Sequence, residues 1–386
     1  MIMNATNKII LTAMILILAA CREEYMLPFT GPAKGYLVVE GFINSGTGPT
    51  TINLSRTLAL VDTVNILPER QAQVEVEGTD NSHFTLNETA PGTYSVPQLT
   101  IQSSQFYRVR IKTKNGSEYL SDFEPVLATP PVDSITWLRD NGVELYVNTH
   151  DPLNNTHYYR WEFEETWEFH STFSTVLKYV IDPSTNKVDT VEDRPPEETS
   201  KLYYCWQSEK SKKILIGSSA ALTTDRIYLP IQRVPESDWK ISVLYSILVK
   251  QYAIGGKEFE FLRRMKKNTE QVGSLFDAQP SELTGNIHNV ANPDETVVGY
   301  IGISASQEKR LFIQRSELPG WNYSFYCEQW EIPLDKDTLE ENRVFIPTTI
   351  ANYNQDTGLP ISIFITNPVC ADCTIRGTNI KPSFWP

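Results

Sequence analysis

Short segments in which apolar and polar residues alternate recur along this chain, with turn residues between them. Within Gln73–Gly78, Val74 and Val76 fall on one face, and Glu75 and Glu77 fall on the other. Residues two apart share a face of an extended strand, so this period of two predicts half-buried β-strands. Aromatic residues make up 11% of the 386 residues and suit such pleated surfaces. The chain is therefore expected to be mainly β.

Strands this short and frequent predict two immunoglobulin-like or fibronectin-like β-sandwich domains. The Ala128-Thr129-Pro130-Pro131 stretch interrupts the pattern, so the first domain is placed at residues 35–128 and the second at 129–386. Residues 182–200 are polar, contain prolines and have no period. They predict a long loop and a variable contact surface inside the second domain.

One short helix is predicted in the second domain, at residues 257–268. Phe259, Leu262 and Met265 are spaced three apart there, and Phe261 lies four before Met265, which gives one broad apolar helix face.

A run of acids among aromatics at Tyr158–Phe169 suggests the paired carboxylates of a glycosidase. The period of two favours a simpler interpretation, in which Glu162, Glu164 and Glu168 form the solvated face of one strand. Paired catalytic carboxylates normally come from separate elements, and this run supplies only one.

The first 20 residues are expected to be a signal peptide. Ile9–Ala20 is an apolar run that is too short to span a bilayer. The Leu18-Ala19-Ala20-Cys21 stretch resembles a bacterial lipobox, which implies a lipid, including palmitate, on Cys21. Two or more acyl chains would anchor the protein stably. An ordinary secretory signal with a coincidental cysteine is the alternative.

Residues 21–34 are expected to form a lipidated tether without regular structure. Arg22, Glu23 and Glu24 at its start resemble the surface-export signal of Bacteroidota lipoproteins. The predicted location is therefore the outer membrane, lipid-anchored and exposed on the cell surface.

Four cysteines remain after Cys21, namely Cys205, Cys327, Cys370 and Cys373. An even number in an oxidising compartment favours disulfides, and four cysteines allow three connectivities. The pair Cys370 and Cys373 also fits a redox motif or half of a zinc site. A redox motif should open a helix, and a zinc site needs a second pair at similar spacing. Structural disulfides that pin the C-terminal tail are the better interpretation.

No motif in the sequence predicts an enzyme. The histidines are His83, His150, His157, His170 and His288, and none falls in a metal-binding spacing. A Gly-x-Ser-x-Gly elbow, a P-loop and a dinucleotide fingerprint are also lacking. We therefore expect no catalytic residues, no metal and no cofactor. The net charge of −13 without a basic stripe argues against nucleic acid as a partner.

Several segments together resemble a family of Bacteroidota surface lipoproteins grouped as an uncharacterised domain, commonly encoded beside TonB-dependent receptors. The segments are Cys21, Leu37–Gly41, Leu54–Thr57, Gly273–Asp277, Pro280–Asn286, Val298–Tyr300, Cys370–Cys373 and Lys381–Trp385. The resemblance implies an outer-membrane lipoprotein associated with a transporter barrel, without catalytic residues. It also implies that Phe384-Trp385 acts as a hydrophobic plug for the tail. Thr63, Ser134, Thr190 and Thr338 lie in tripeptides that look like the O-glycosylation acceptors of these bacteria.

The leading expectation is a non-enzymatic accessory or binding subunit of a TonB-dependent transporter, for nutrient capture or as a lid on the barrel. One alternative is a carbohydrate-binding or adhesive module that works alone, with Trp321, Tyr323 and Tyr326 as a stacking platform. Another is a subunit of an outer-membrane assembly complex.

Overall fold

The computed structural model describes residues 35–57, 67–270 and 283–386. The predicted signal peptide (1–20), the tether (21–34) with Cys21, Arg22, Glu23 and Glu24, and the candidate acceptor Thr63 lie outside the described residues. Within them the fold is mainly β, as predicted, and is built from several sheets.

The strands follow one another closely along the chain. In chain order, the first twelve are β1 (Leu37–Asn44), β2 (Thr50–Arg56), β3 (Leu67–Pro68), β4 (Gln73–Gly78), β5 (His83–Ala90), β6 (Thr93–Val96), β7 (Phe106–Lys112), β8 (Glu118–Ser121), β9 (Glu124–Pro125), β10 (Val132–Arg139), β11 (Gly142–Thr149) and β12 (Tyr158–His170). The others are β13 (Leu177–Asp182), β14 (Lys187–Asp193), β15 (Tyr204–Lys210), β16 (Leu215–Ser218), β17 (Ile227–Pro235), β18 (Leu244–Ala253), β19 (Ile287–Asn289), β20 (Val297–Gly299), β21 (Ile303–Ser304), β22 (Gln307–Gln314), β23 (Gln329–Pro333), β24 (Ile346–Tyr353) and β25 (Pro360–Thr366). The α-helices are α1 (Pro196–Tyr203), α2 (Gly256–Glu270), α3 (Lys336–Glu341) and α4 (Pro368–Ala371).

The first body is a twelve-stranded sheet whose main path runs β19-β8-β7-β4-β5-β6-β2-β1-β20. Its core includes Ile52, Val76 and Tyr94, together with Ile287 and Ile301 from a much later part of the chain. The predicted domain boundary is therefore incomplete, because residues 35–128 share their sheet and their core with strands from 287–304. A pairing between segments this distant in sequence leaves no local pattern.

The second body packs two sheets around one hydrophobic core. The sheets are β10-β11-β17 and the five-stranded sheet β15-β12-β18-β22, in which β16 also pairs with β12. Both sheets contribute to the core, for example Leu145 from one and Trp161, Trp167 and Tyr245 from the other. This arrangement is the sandwich that the sequence predicts for this region.

A third, smaller core lies within the predicted second domain. It joins the hairpin β13-β14 to the sheet β23-β25-β24 and contains Leu177, Val188 and Ile363. The prediction of a long loop at 182–200 is wrong, since this region holds most of the hairpin and helix α1. The turn residue Asn186 adopts a positive φ of 54°, and Pro196 opens the helix at a position where its missing N–H costs nothing.

The predicted helix is confirmed as α2, but it is not alone, because α1, α3 and α4 also belong to the predicted second domain. Helix α2 bridges the first two bodies. Phe259 lies 5.0 Å from Tyr158 of β12, and Phe261 lies 5.9 Å from Tyr300, between ring centroids. Glu258, in the first turn, is buried at this junction.

Candidate functional site

A pocket lies at one end of the five-stranded sheet of the second body. At this end β12 finishes, β18 begins and β22 finishes, because antiparallel pairing places Glu168 opposite Leu244 and Leu244 opposite Gln314. The pocket has a volume of about 570 Å³. Its lining residues are His170, Thr172, Ser242, Val243, Arg315, Tyr323, Ser324, Phe325 and Arg376. We call it the arginine pocket.

Two disulfides hold the chain segments that form the arginine pocket. Cys205 pairs with Cys373, and Cys327 pairs with Cys370. Cys373 begins the short 3-10 helix that is capped by Arg376, and Cys327 follows the loop that carries the aromatic lining residues. The prediction of disulfides that pin the tail is confirmed. The two cysteines of the Cys-x-x-Cys motif bond to different partners, so they do not form a redox pair.

Arg376 is held against aromatic rings. Its guanidinium donates to the hydroxyl of Tyr323 at 3.4 Å. The guanidinium carbon lies 4.5 Å from the ring centroid of Phe325 and 5.1 Å from that of Phe169. The Nε atom is buried and has no hydrogen-bond partner. Arg376 is thus fixed by stacking, while part of its donor set stays unused.

Arg315 and Ser242 supply further unused polar groups. Arg315 begins a 3-10 helix after β22, and its backbone N–H donates to the carbonyl of Val243 at 3.0 Å. Among the described residues, neither Arg315 nor Arg376 is paired with a carboxylate. The Oγ atom of Ser242 is buried without a partner. A buried donor left unsatisfied costs about 1–3 kcal/mol, so these groups call for an explanation.

The acid nearest in sequence to His170 is already engaged. The carboxylate of Glu168 lies 3.0 Å from Nε2 of His170, and it accepts a hydrogen bond from the indole N–H of Trp385 at 2.9 Å. The hydrogen bond to His170, followed by that to Trp385, holds the pKa of Glu168 below its usual range despite opposing burial. Within the described residues, the side chain of His170 makes its hydrogen bond to Glu168 and none to a hydroxyl group.

The C-terminal tail closes the outer side of this sheet. The ring of Trp385 is buried and lies 5.6 Å from that of Phe312. The guanidinium carbon of Arg310 stacks 3.6 Å from the centroid of Phe384, which stays partly exposed. Trp385 therefore fills the role of plug that the resemblance implied for the pair.

The predicted aromatic stacking platform is not assembled. Trp321 is wholly buried in the core of the second body, and its indole N–H donates to the carbonyl of Asp238. Tyr326 is 81% exposed, and Tyr323 lines the arginine pocket. A buried position in the core is the commoner fate of a large aromatic side chain, and Trp321 adopts it.

Glu162, Glu164 and Glu168 alternate with buried aromatics on β12, as the strand interpretation requires. The expected solvated face is wrong for Glu168, whose side chain is only 17% exposed because His170 and Trp385 cover it. Glu165 was missed, although its odd position in the strand places it on the inner face. It is buried and bonded to the Lys240 ammonium at 2.8 Å, the Tyr245 hydroxyl at 2.8 Å and the Gln232 amide at 3.0 Å. All these partners indicate a structural network.

One group of potential metal ligands occurs in the described part of the chain. Glu75, Glu77 and His83 each place one ligand atom within 4.8 Å of the others. Glu77 is also paired with Arg108 at 2.8 Å and with Arg110 at 3.3 Å. Two arginines this close neutralise the carboxylate, so the group carries no argument for a metal site.

The other histidines are dispersed. His288 lies 3.5 Å from Asp122 beside a pocket of about 460 Å³, and both side chains are exposed. His150 pairs with Asp133 at 2.7 Å, and His157 lines a separate pocket of about 520 Å³ between the first two bodies.

Three candidate O-glycosylation acceptors fall within the described residues. Thr190 is exposed on β14, whereas Ser134 in β10 and Thr338 in α3 are partly buried. Thr190 is therefore the most accessible of the three to a modifying enzyme.

The fold and the arginine pocket define a β-sheet protein with a cationic pocket held by disulfides. The chain belongs to the family described as Domain of unknown function (DUF4249), whose model matches residues 22–310. The predicted membership of an uncharacterised domain family is thereby confirmed. His170 and Ser242 lie inside the matched range, and Arg315 and Arg376 lie beyond it.

No curated protein matches the chain. Among the helices of the described residues, none is long and apolar enough to span a membrane.

Proposed function

We propose that the protein is a non-enzymatic, lipid-anchored lipoprotein on the cell surface that serves as a binding subunit of a TonB-dependent outer-membrane transporter. The observation that carries the binding role is the arginine pocket, where Arg315 and Arg376 are free of carboxylates among the described residues. Groups that a fold leaves unpaired in a pocket are available to a ligand.

Lipid anchoring rests on the sequence Leu18–Cys21, and surface exposure rests on Arg22, Glu23 and Glu24. The partnership with a transporter barrel rests on the resemblance to lipoproteins encoded beside such receptors. A subunit held at one lipidated residue would bring its pocket to the barrel without needing a high-affinity contact, because anchoring raises the effective concentration.

A stand-alone carbohydrate-binding module is the second candidate, and the exposed ring of Tyr326 favours it. The burial of Trp321 removes the largest ring from that candidate's platform.

Two experiments separate these functions. Purification of the full chain from detergent-solubilised membranes should recover an outer-membrane barrel with it, and a glycan array should give no signal. A protein that runs alone and binds glycans would refute the transporter role.

Replacement of Cys21 by Ser should release the protein from membranes into the soluble fraction. Ser45→Ala, a substitution far from the signal, serves as the control and should stay in the membrane fraction. If Cys21→Ser remains membrane-bound, the proposed anchor is wrong.

A further inference from the structure

We propose that the arginine pocket binds an oxyanion, a carboxylate or a phosphate, that is carried on a flat apolar group. This inference rests on the proposed binding function and adds the chemical class of the ligand. It depends on three observations: unpaired guanidinium groups, buried donors without acceptors, and an aromatic wall.

The charge of the pocket favours an anion. Arg315 and Arg376 both line it, and neither has a carboxylate partner among the described residues. Arginine remains charged at any physiological pH, and its planar fork matches the two oxygens of a carboxylate or a phosphate. Two such groups beside one cavity repel each other, and a bound anion would relieve that repulsion.

The buried donors favour an acceptor with several lone pairs. The Nε atom of Arg376 and the Oγ atom of Ser242 are both buried without a hydrogen-bond partner. They belong to different segments, which the sheet end and the Cys205–Cys373 disulfide bring together. Buried polar groups are normally paired, so under this proposal each of the two donors gains an acceptor when the ligand binds. An oxyanion accepts from several donors at once, whereas a single neutral carbonyl oxygen accepts from fewer.

The aromatic wall favours a flat apolar group on the same ligand. Phe325 remains 37% exposed as a residue, although one face of its ring lies against the guanidinium of Arg376. Tyr323 lies beside it, with its hydroxyl bound to the same guanidinium. A ring on the ligand would stack on these groups, whereas inorganic phosphate would leave them in water.

The test measures the binding of small probes to the full chain purified in detergent, in a buffer free of sulfate and phosphate. The probes are benzoate, phenyl phosphate, inorganic phosphate and benzamide, and their dissociation constants are followed by ligand-observed NMR. Benzoate, phenyl phosphate or both should bind, and benzamide and inorganic phosphate should bind at least about tenfold more weakly, since tenfold corresponds to one lost charge-assisted contact. The preferred ring-bearing probe then distinguishes a carboxylate ligand from a phosphate ester.

Variants locate the site. Arg376→Gln and Arg315→Gln should each raise the dissociation constant of the tighter-binding probe by at least about tenfold. Arg310→Gln is the matched control, because Arg310 also stacks on a phenylalanine ring, that of Phe384 in the tail, but does not line the pocket. It should leave affinity unchanged.

Ser242→Ala separates binding from folding. This substitution removes a buried hydroxyl that has no partner, so the free protein should be at least as stable as the wild type, while the probe binds severalfold more weakly. A merely structural role for Ser242 would instead lower stability and leave affinity unchanged. If Arg376→Gln does not fold, Arg315→Gln and Ser242→Ala decide the question.

Three results would overturn the inference: no binding of either benzoate or phenyl phosphate, benzamide or inorganic phosphate binding as tightly as the better of these two anions, or affinities that no pocket variant changes. If these binding tests fail while a barrel still co-purifies, the proposed ligand class is wrong and the transporter role is unaffected. If the probes bind but no barrel co-purifies, the transporter role is wrong and the proposed ligand of the arginine pocket is unaffected.

Discussion

The buried carboxyl of Glu258 makes stability depend on pH in an unusual direction. It lies in the first turn of α2, and a Cβ added to Gly302 would come within 2.0 Å of its Oε2 atom, so there is no room for water between them. Burial raises its pKa to about 7, and Arg160 opposes the rise only in part. Between pH 4.5 and about 7, the folded protein therefore keeps a proton on Glu258 that the unfolded chain has lost, because the carboxyl has its ordinary pKa of 4.5 in the unfolded chain.

The magnitude follows from that difference. Between the two pKa values the unfolded state binds fewer protons, so the free energy of unfolding falls as pH rises from about 4.5 and levels off above about 7. A shift from 4.5 to about 7 corresponds to about 3 kcal/mol at pH 8. Glu258→Gln keeps the shape and removes the titration. The variant should thus be more stable than the wild type by about 3 kcal/mol at pH 8, and nearly equal to it at pH 4.5.

The assay is urea unfolding followed by tryptophan fluorescence at pH 4.5 and pH 8. Glu260→Gln, in the same helix, is the control, because Glu260 is partly exposed and pairs with Arg263 at the surface. Glu260→Gln should change the free energy of unfolding by no more than about 1 kcal/mol at both pH values. If Glu258→Gln changes stability equally at both pH values, or lowers it at pH 8, the argument from burial is wrong.

Other predictions follow from buried contacts. Lys240→Met should destabilise the protein by about 3–5 kcal/mol in urea unfolding, because Glu165 then keeps a buried charge without its ammonium partner; an unchanged midpoint would contradict this. Gly285→Ala should cost about 1–3 kcal/mol, since its Cβ would lie 1.5 Å from a backbone carbonyl oxygen, whereas Gly255→Ala, with open space around it, should be tolerated. Removal of the Cys205–Cys373 disulfide should cost about 2–5 kcal/mol and lower probe affinity in the arginine pocket, whereas non-reducing peptide mapping that finds free thiols would refute the pairing.

Local pattern predicted the elements better than their assembly. Gln73–Gly78 forms a strand with Val74 and Val76 wholly buried, and α2 begins and ends within two residues of its predicted bounds. Both depend on periodicity, which a sequence shows directly. The return of 287–304 to the first sheet depends on a pairing across most of the chain, which periodicity does not encode.

The candidate site lay beyond sequence reasoning for a similar reason. Arg376 and Arg315 occur in unremarkable surroundings in the sequence, and only the end of the sheet and the disulfides bring them to one pocket. One signal was available in the sequence. The cysteines indicated that the tail is pinned by disulfides, and Arg376 lies three residues after Cys373 in that tail. The inward position of Glu165 could also have been read from its parity with Trp161.

The most direct test of the proposed function is size-exclusion chromatography of the affinity-purified full chain in mild detergent, with mass spectrometry of its peak. The account predicts that an outer-membrane barrel co-elutes with the lipidated protein, and that Cys21→Ser, purified from the soluble fraction, brings no barrel with it. A lipidated wild-type protein that elutes alone, from membranes that contain TonB-dependent receptors, would contradict the account.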